Sequence, residues 1–197
     1  MDCLLLKSNL EVNRLIEDLN IANNLHGFIN PEKINGTTFS ICKDTDGWEA
    51  LPLHTIDGLT GNNSLIPIEV TRNTNFLPNI ILKNCKYIQE ILTSLNTEIY
   101  LVRIMKLKIG GYIAPHVDKL IDKQKIIRCQ IPIIIDDKVD FIIDNKKYKM
   151  NSGNLYFINV GEKVHWVKNN SNKDRVTIVI DMKPTKDISK KINIKSR

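Results

Sequence analysis

The spacing of apolar residues changes period once along this chain of 197 residues. In the first half, Leu10, Leu15, Ile16 and Leu19 recur at helical intervals behind Ser8-Asn9-Leu10-Glu11, which has the spacing of a capping box. That pattern predicts an amphipathic helix over about residues 9–20. Ile81, Cys85, Ile88, Ile91, Leu92 and Leu95 repeat every three to four residues behind Pro78, and proline suits a first helical turn, so a second helix is expected over about 78–95. Between the two, Asn30-Pro31 and Asn35-Gly36 mark turns, short strands are expected at 37–43 and 49–55, and the Asn- and Gly-rich stretch 58–78 reads as loop. From residue 98 the period falls to two. Segments 98–108, 113–117, 126–135, 139–143, 147–150, 155–160, 163–168 and 175–182 each read as a strand, separated by Gly110-Gly111, Asp136-Asp137, Asp144-Asn145, Ser152-Gly153 and the Asn-rich turn 169–172.

Many short strands behind two helices predict a mainly β domain with supporting helices, either a double-stranded β-helix (a jelly roll or cupin-like barrel) or an open sandwich with no internal site. The polar residues favour the barrel. His116, Asp118, Arg128, His165 and Arg175 lie in or beside otherwise apolar strands, and buried charge is costly unless it is paired or bound to metal. The length fits one domain over residues 1–182, with helical support at about 9–20 and 78–95 and the barrel at about 98–182.

Charge adds a tail to this picture. The formal net charge is +6, and residues 183–197 hold six basic residues against one acid, so the body is nearly neutral. A solvated, basic C-terminal tail is the simpler expectation, and contact of that tail with nucleic acid is the less favoured one. Cys3, Cys42, Cys85 and Cys129 form no C-x-x-C pair, as expected of reduced thiols in a cytoplasmic protein. Asp2 and a run of only three leucines do not make a signal peptide, and no apolar stretch is long enough for a membrane span.

The candidate chemistry centres on His116-Val-Asp118. In an extended backbone residues i and i+2 share a face, so both side chains can reach one metal ion. His165, on a later strand, would complete two imidazoles and one carboxylate, the set that iron(II) oxygenases use while leaving positions open for cosubstrate and dioxygen. A core histidine bonded to the backbone is the alternative for His165. If 169–172 closes a hairpin, Arg175 falls opposite His165 and its guanidinium enters the same pocket, where a bidentate cation would hold the far carboxylate of a keto-diacid. One more surface cation is the alternative there.

The motifs His116-x-Asp118, His165-x-Val167-x-Asn169 and Arg175-Val-Thr-Ile-Val-Ile-Asp181 resemble the 2-oxoglutarate- and iron(II)-dependent oxygenases of the aspartyl/asparaginyl β-hydroxylase type. This group includes bacterial hydroxylases of free proline. The resemblance reaches upstream through Arg128-Cys-Gln-Ile-Pro132, residues 103–107 and residues 48–53, covering roughly 47–182. It implies that His116, Asp118 and His165 bind iron(II), that Arg175 binds the 5-carboxylate of 2-oxoglutarate, and that Arg128 lies near substrate or cosubstrate carboxylates. It further implies a hydroxylase that consumes dioxygen, releases succinate and carbon dioxide, and acts on an amino acid or on an Asp, Asn or Pro residue of a peptide. Arg103 would add positive charge for a carboxylate-bearing substrate or form a structural ion pair. Two departures stand out: Asp118 is present where animal peptide hydroxylases of the family lack a carboxylate ligand, and Gln130 stands where the family often has His. A rival of another class is a cupin-like protein that binds a metal or small acid without redox turnover.

Overall fold

The computed structural model describes residues 1–30, 46–61, 64, 74–118 and 126–192. In chain order the elements are β1 (Cys3–Lys7), α1 (Val12–Leu25), β2 (Asp46–Ile56), β3 (Phe76–Pro78), α2 (Ile80–Asn84), α3 (Lys86–Ser94), β4 (Ile99–His116), β5 (Ile127–Ile134), β6 (Val139–Ile143), β7 (Lys146–Lys147), β8 (Leu155–Ile158), β9 (His165–Asn169), β10 (Arg175–Met182) and α4 (Lys186–Lys191).

β4 organises the sheets. Its first part pairs with β10 on one side and β2 on the other, while residues 112–116 pair with β9. One sheet therefore runs β1-β8-β5-β10-β4, continued by β2 and β3, and the other runs β4-β9-β6-β7. All of these pairings are antiparallel. The two sheets make the jelly roll expected from the strand pattern. The segments 98–108 and 113–117 are one strand that bends from sheet to sheet, with Gly110 at φ 73° and a bulge between Ile113 and His116.

Alternation along the strands separates two cores. Val176, Ile178, Ile180 and Met182 of β10, with Val102 and Ile104 of β4 and Cys129 and Ile131 of β5, face the helices and pack with Leu15, Leu19, Ile88 and Ile91. Leu107, Ile113, Phe141, Ile143, Tyr156 and Val167 form a second core between the sheets. The odd-numbered residues of β10 share the face opposite the helical core, and this places Arg175, Thr177 and Asp181 toward the barrel interior.

Local chemistry accounts for the departures from the sequence pattern. The capping box does not form, because Asn9 takes a left-handed φ of 64°; α1 starts at Val12 behind Glu11, with no side-chain cap, and runs on to Leu25. The second helix is two: Asn79 Oδ1 accepts from the N–H groups of Ile81 and Leu82 to start α2, and Cys85, with ψ 81°, breaks it from α3. Pro78 belongs to β3 and not to the helix. The leucine run near the N-terminus is strand β1, paired with β8. Gly153, at φ 72°, seats the segment that follows; a Cβ there would lie 2.5 Å from the Leu10 carbonyl oxygen. In the basic C-terminal segment, Lys186–Lys191 form α4 behind the Thr185 cap with their lysines exposed, and Ile192 is buried in the helical core. The strand expected at 37–43 and most of the loop expected at 58–78 lie outside the described residues.

Candidate metal centre

His116 ends β4 and His165 begins β9, and the two are register partners across that strand pair. Their rings lie 4.0 Å apart between centroids. Asp118 follows two residues beyond β4, its backbone N–H donating to the Val160 carbonyl at 2.8 Å. Its Oδ1 is 3.6 Å from His116 Nε2 and its Oδ2 3.7 Å from His165 Nε2. One ligand atom from each of the three residues thus lies within 4.8 Å of the others.

The protonation states suit metal binding. His116 Nδ1 sits 2.7 Å from the Ala114 carbonyl, which can only accept, so Nδ1 carries the hydrogen and Nε2 presents its lone pair to the cluster. Burial pushes the His165 pKa down to about 4, which keeps the imidazole neutral. For Asp118 burial acts upward, but the Arg128 charge beside it, with smaller help from Arg103, holds the carboxyl below its ordinary range. Two imidazoles and one carboxylate are a donor set that fits iron(II).

Arg128 faces the same space and is already engaged. Its Nε and Nη2 donate to the two oxygens of Asp181 at 2.6 and 2.7 Å, and its Nη1 donates to Asp118 Oδ2. Burial disfavours the charge of this guanidinium, and the two carboxylates more than offset that. Asp181 is directly opposite Arg128 in the β5–β10 register.

Arg175 is the contrasting case. It is 2% exposed, its Nη2 donates to Gln130 Oε1 at 3.0 Å, and its guanidinium lies 5.7 Å from the centroid of the Phe141 ring. Its Nε has no hydrogen-bond partner among the described residues, and none of their carboxylates contributes to its titration; burial alone pushes its pKa down to about 10. The route into the pocket differs from the hairpin inferred from spacing. β9 pairs with β4 and β6, β10 with β4 and β5, so residues 165 and 175 are not paired across one hairpin. The connection crosses between sheets, and Arg175 reaches Phe141 of β6 from the sheet that does not contain it. Asn169 fixes this crossing: its Nδ2 donates to the carbonyls of Leu107, Lys108 and Lys173, and its Oδ1 accepts from Ser171.

Further donors on this side of the sheet are without partners among the described residues: Arg103 Nε and Nη1, Thr177 Oγ1 and Trp48 Nε1. Arg103 is buried, and burial, then the neighbouring Arg128 charge, pushes its pKa down to about 10. Gln130 supports Arg175. Asp181 and Thr177 share the two-residue period of Arg175 along β10, whereas the Gln130–Arg175 contact joins β5 to β10 and leaves no local signal in the sequence.

The family model described as Aspartyl/Asparaginyl beta-hydroxylase matches residues 17–184. Among solved structures the chain is similar to HygX from Streptomyces hygroscopicus, with nickel, 2-oxoglutarate and hygromycin B bound, at 8% identity and a TM-score of 0.56 over 94% of this chain and 84% of that one. It is also similar to the viral collagen prolyl hydroxylase of Paramecium bursaria Chlorella virus-1 in its 2-oxoglutarate complex, at 12% identity and a TM-score of 0.49 over 92% of this chain and 96% of that one. No curated protein matches the sequence. At such low identity the HygX likeness shows a shared fold.

Proposed function

The chain belongs to the aspartyl/asparaginyl β-hydroxylase family and is an iron(II)- and 2-oxoglutarate-dependent dioxygenase; from that premise we propose that it hydroxylates an unactivated C–H bond of a free amino acid, or of an Asp, Asn or Pro residue in a peptide. The observation that carries this reading is the buried Arg175 guanidinium, unpaired with any described carboxylate, in the barrel that also holds three converging ligand atoms. An unpaired buried cation is destabilising unless a bound anion compensates it. 2-Oxoglutarate brings such an anion on a chain that ends in the metal-chelating keto-acid.

His116, Asp118 and His165 would hold the iron. With 2-oxoglutarate and dioxygen it supplies the oxidation that turns C–H into C–OH, releasing succinate and carbon dioxide. The protein supplies position and exclusion of water. The Ala114 carbonyl fixes the His116 tautomer, and the Val160 carbonyl holds the backbone of Asp118. Arg175 takes the distal carboxylate of 2-oxoglutarate, steered by Gln130 and by the face of Phe141. Arg103, whose Nε and Nη1 have no partner among the described residues, supports a substrate that carries a carboxylate. No helix among the described residues is long and apolar enough to cross a membrane. Cys3, Cys85 and Cys129 are free thiols, which supports a reducing, cytoplasmic setting.

The test is to supply iron(II), 2-oxoglutarate and air with a panel of free amino acids and of peptides containing Asp, Asn or Pro, measuring succinate and a product heavier by one oxygen atom. A substrate that yields both in equal amounts supports the reading. Metal binding with no 2-oxoglutarate-dependent oxygen uptake on any substrate, and none without one, would favour the cupin-like binding protein.

A further inference from the structure

Asp181 lies within the family-like strand motif, touches no ligand atom of the metal centre, and is buried with its whole carboxylate on one guanidinium. We infer that Asp181 is a positioning residue for the metal ligand Asp118, acting through Arg128 as a carboxylate–guanidinium–carboxylate chain.

The geometry carries this in three steps. A guanidinium is a rigid plane, so fixing its Nε and Nη2 edge on Asp181 also fixes where Nη1 points. Nη1 points at Asp118 Oδ2. Asp118 lies beyond the end of β4, where its backbone N–H donates to Val160, and the Arg128 contact supports its side chain beside the two imidazoles. With Oδ2 bound to Arg128, Oδ1 is left as the oxygen for ligation, 3.6 Å from His116 Nε2. Asp181 and Arg128 stand on adjacent strands as direct register partners, so the rigid sheet, and not a loop, sets the aim of the ligand. The same pairing occupies both oxygens of Asp181, while Arg103 Nε and Nη1 have no partner among the described residues.

This inference rests on the proposed metal site, and the experiment separates the two. Cobalt(II) is titrated into metal-free wild type and Asp181→Asn under anaerobic conditions, following its visible absorption, with urea unfolding of each metal-free protein as a check on the fold. The variant should bind cobalt roughly ten- to hundredfold more weakly, the usual cost of losing a partner of a metal ligand. In an Arg128→Gln background the same change should have little further effect, since its route to Asp118 is gone. A purely structural Asp181 would give equal affinity in the folded single variant, or equal losses in both backgrounds, and either result overturns the inference. If Asp181→Asn does not fold, the paired replacement Arg128→Met with Asp181→Leu removes both charges at once and is expected to fold. It should show the same loss of cobalt affinity, and unchanged affinity would overturn the inference. Wild type that binds no cobalt would instead remove the metal site itself.

Discussion

Arg175 holds a charge at a depth where charge is expensive. Its guanidinium is fully buried, has one amide and one aromatic face as neighbours, and is pushed down to a pKa of about 10 by burial alone. Arg175→Met should therefore leave the metal- and cosubstrate-free protein at least as stable as wild type, because a buried cation is replaced by an apolar chain of similar length. At a given 2-oxoglutarate concentration the same variant should gain much less stabilisation than wild type, in which the gain grows with ligand concentration. Urea midpoints with and without 2-oxoglutarate check both statements, and a clear loss of stability in the ligand-free variant would mean that Arg175 has a structural anion partner. Arg175→Lys should raise the 2-oxoglutarate requirement far more than the substrate requirement, since lysine lacks the two-pronged donor. Paired kinetic titrations would read this, and equal changes in the two requirements would count against the cosubstrate assignment. At this scale the sequence was informative where a polar residue interrupted an apolar strand, which is how His116, Asp118, His165 and Arg175 stood out. It was silent where the meaning of a residue lay in a partner from a distant strand. Asp181 is 53 residues from Arg128 and Gln130 45 from Arg175, and only strand order brings them together.

The strands show the same division between local and non-local information. Alternation and turn residues agree at segments 139–143 and 175–182, and β6 and β10 have those bounds. The 169–172 turn looked like a hairpin because a hairpin is the commonest use of such residues. It is instead a crossing between sheets, held by the fully buried Asn169, whose side chain satisfies three backbone carbonyls. Asn169→Ala leaves those carbonyls without their donor and should cost about 3 kcal/mol of stability, on the scale of a buried hydrogen-bond cluster. A loss below about 1 kcal/mol in urea unfolding would show that other groups hold the crossing. The capping box failed for a similar reason. Ser8 and Glu11 have the correct spacing, yet docking of Leu10 against Gly153 turns the chain through Asn9 in a conformation that no capping box allows.

For the molecule as a whole, the basic C-terminal segment is where composition said least. Lys190 and Lys191 lie in the last turn of α4 and Asp187 in its first, an arrangement that complements the helix dipole. Ile192 closes the helical core, so Ile192→Ser should lower stability by about 2 kcal/mol, as expected for one lost apolar side chain. Unchanged unfolding would mean that the tail is dispensable. The mainly β class, the two layers and the helical support followed from period alone, because a change from helical to two-residue spacing reflects which face of each element meets the core. The central claim is that His116, Asp118 and His165 bind iron(II) and that Arg175 orients 2-oxoglutarate upon it. The most direct measurement is an anaerobic absorbance titration of metal-free protein with iron(II) and then 2-oxoglutarate, with His165→Ala and Arg175→Met beside wild type. The account predicts a visible charge-transfer band in wild type, no band in His165→Ala, and a band in Arg175→Met only at much higher 2-oxoglutarate. Iron binding with no band in wild type, or a band that persists unchanged in His165→Ala, would contradict it.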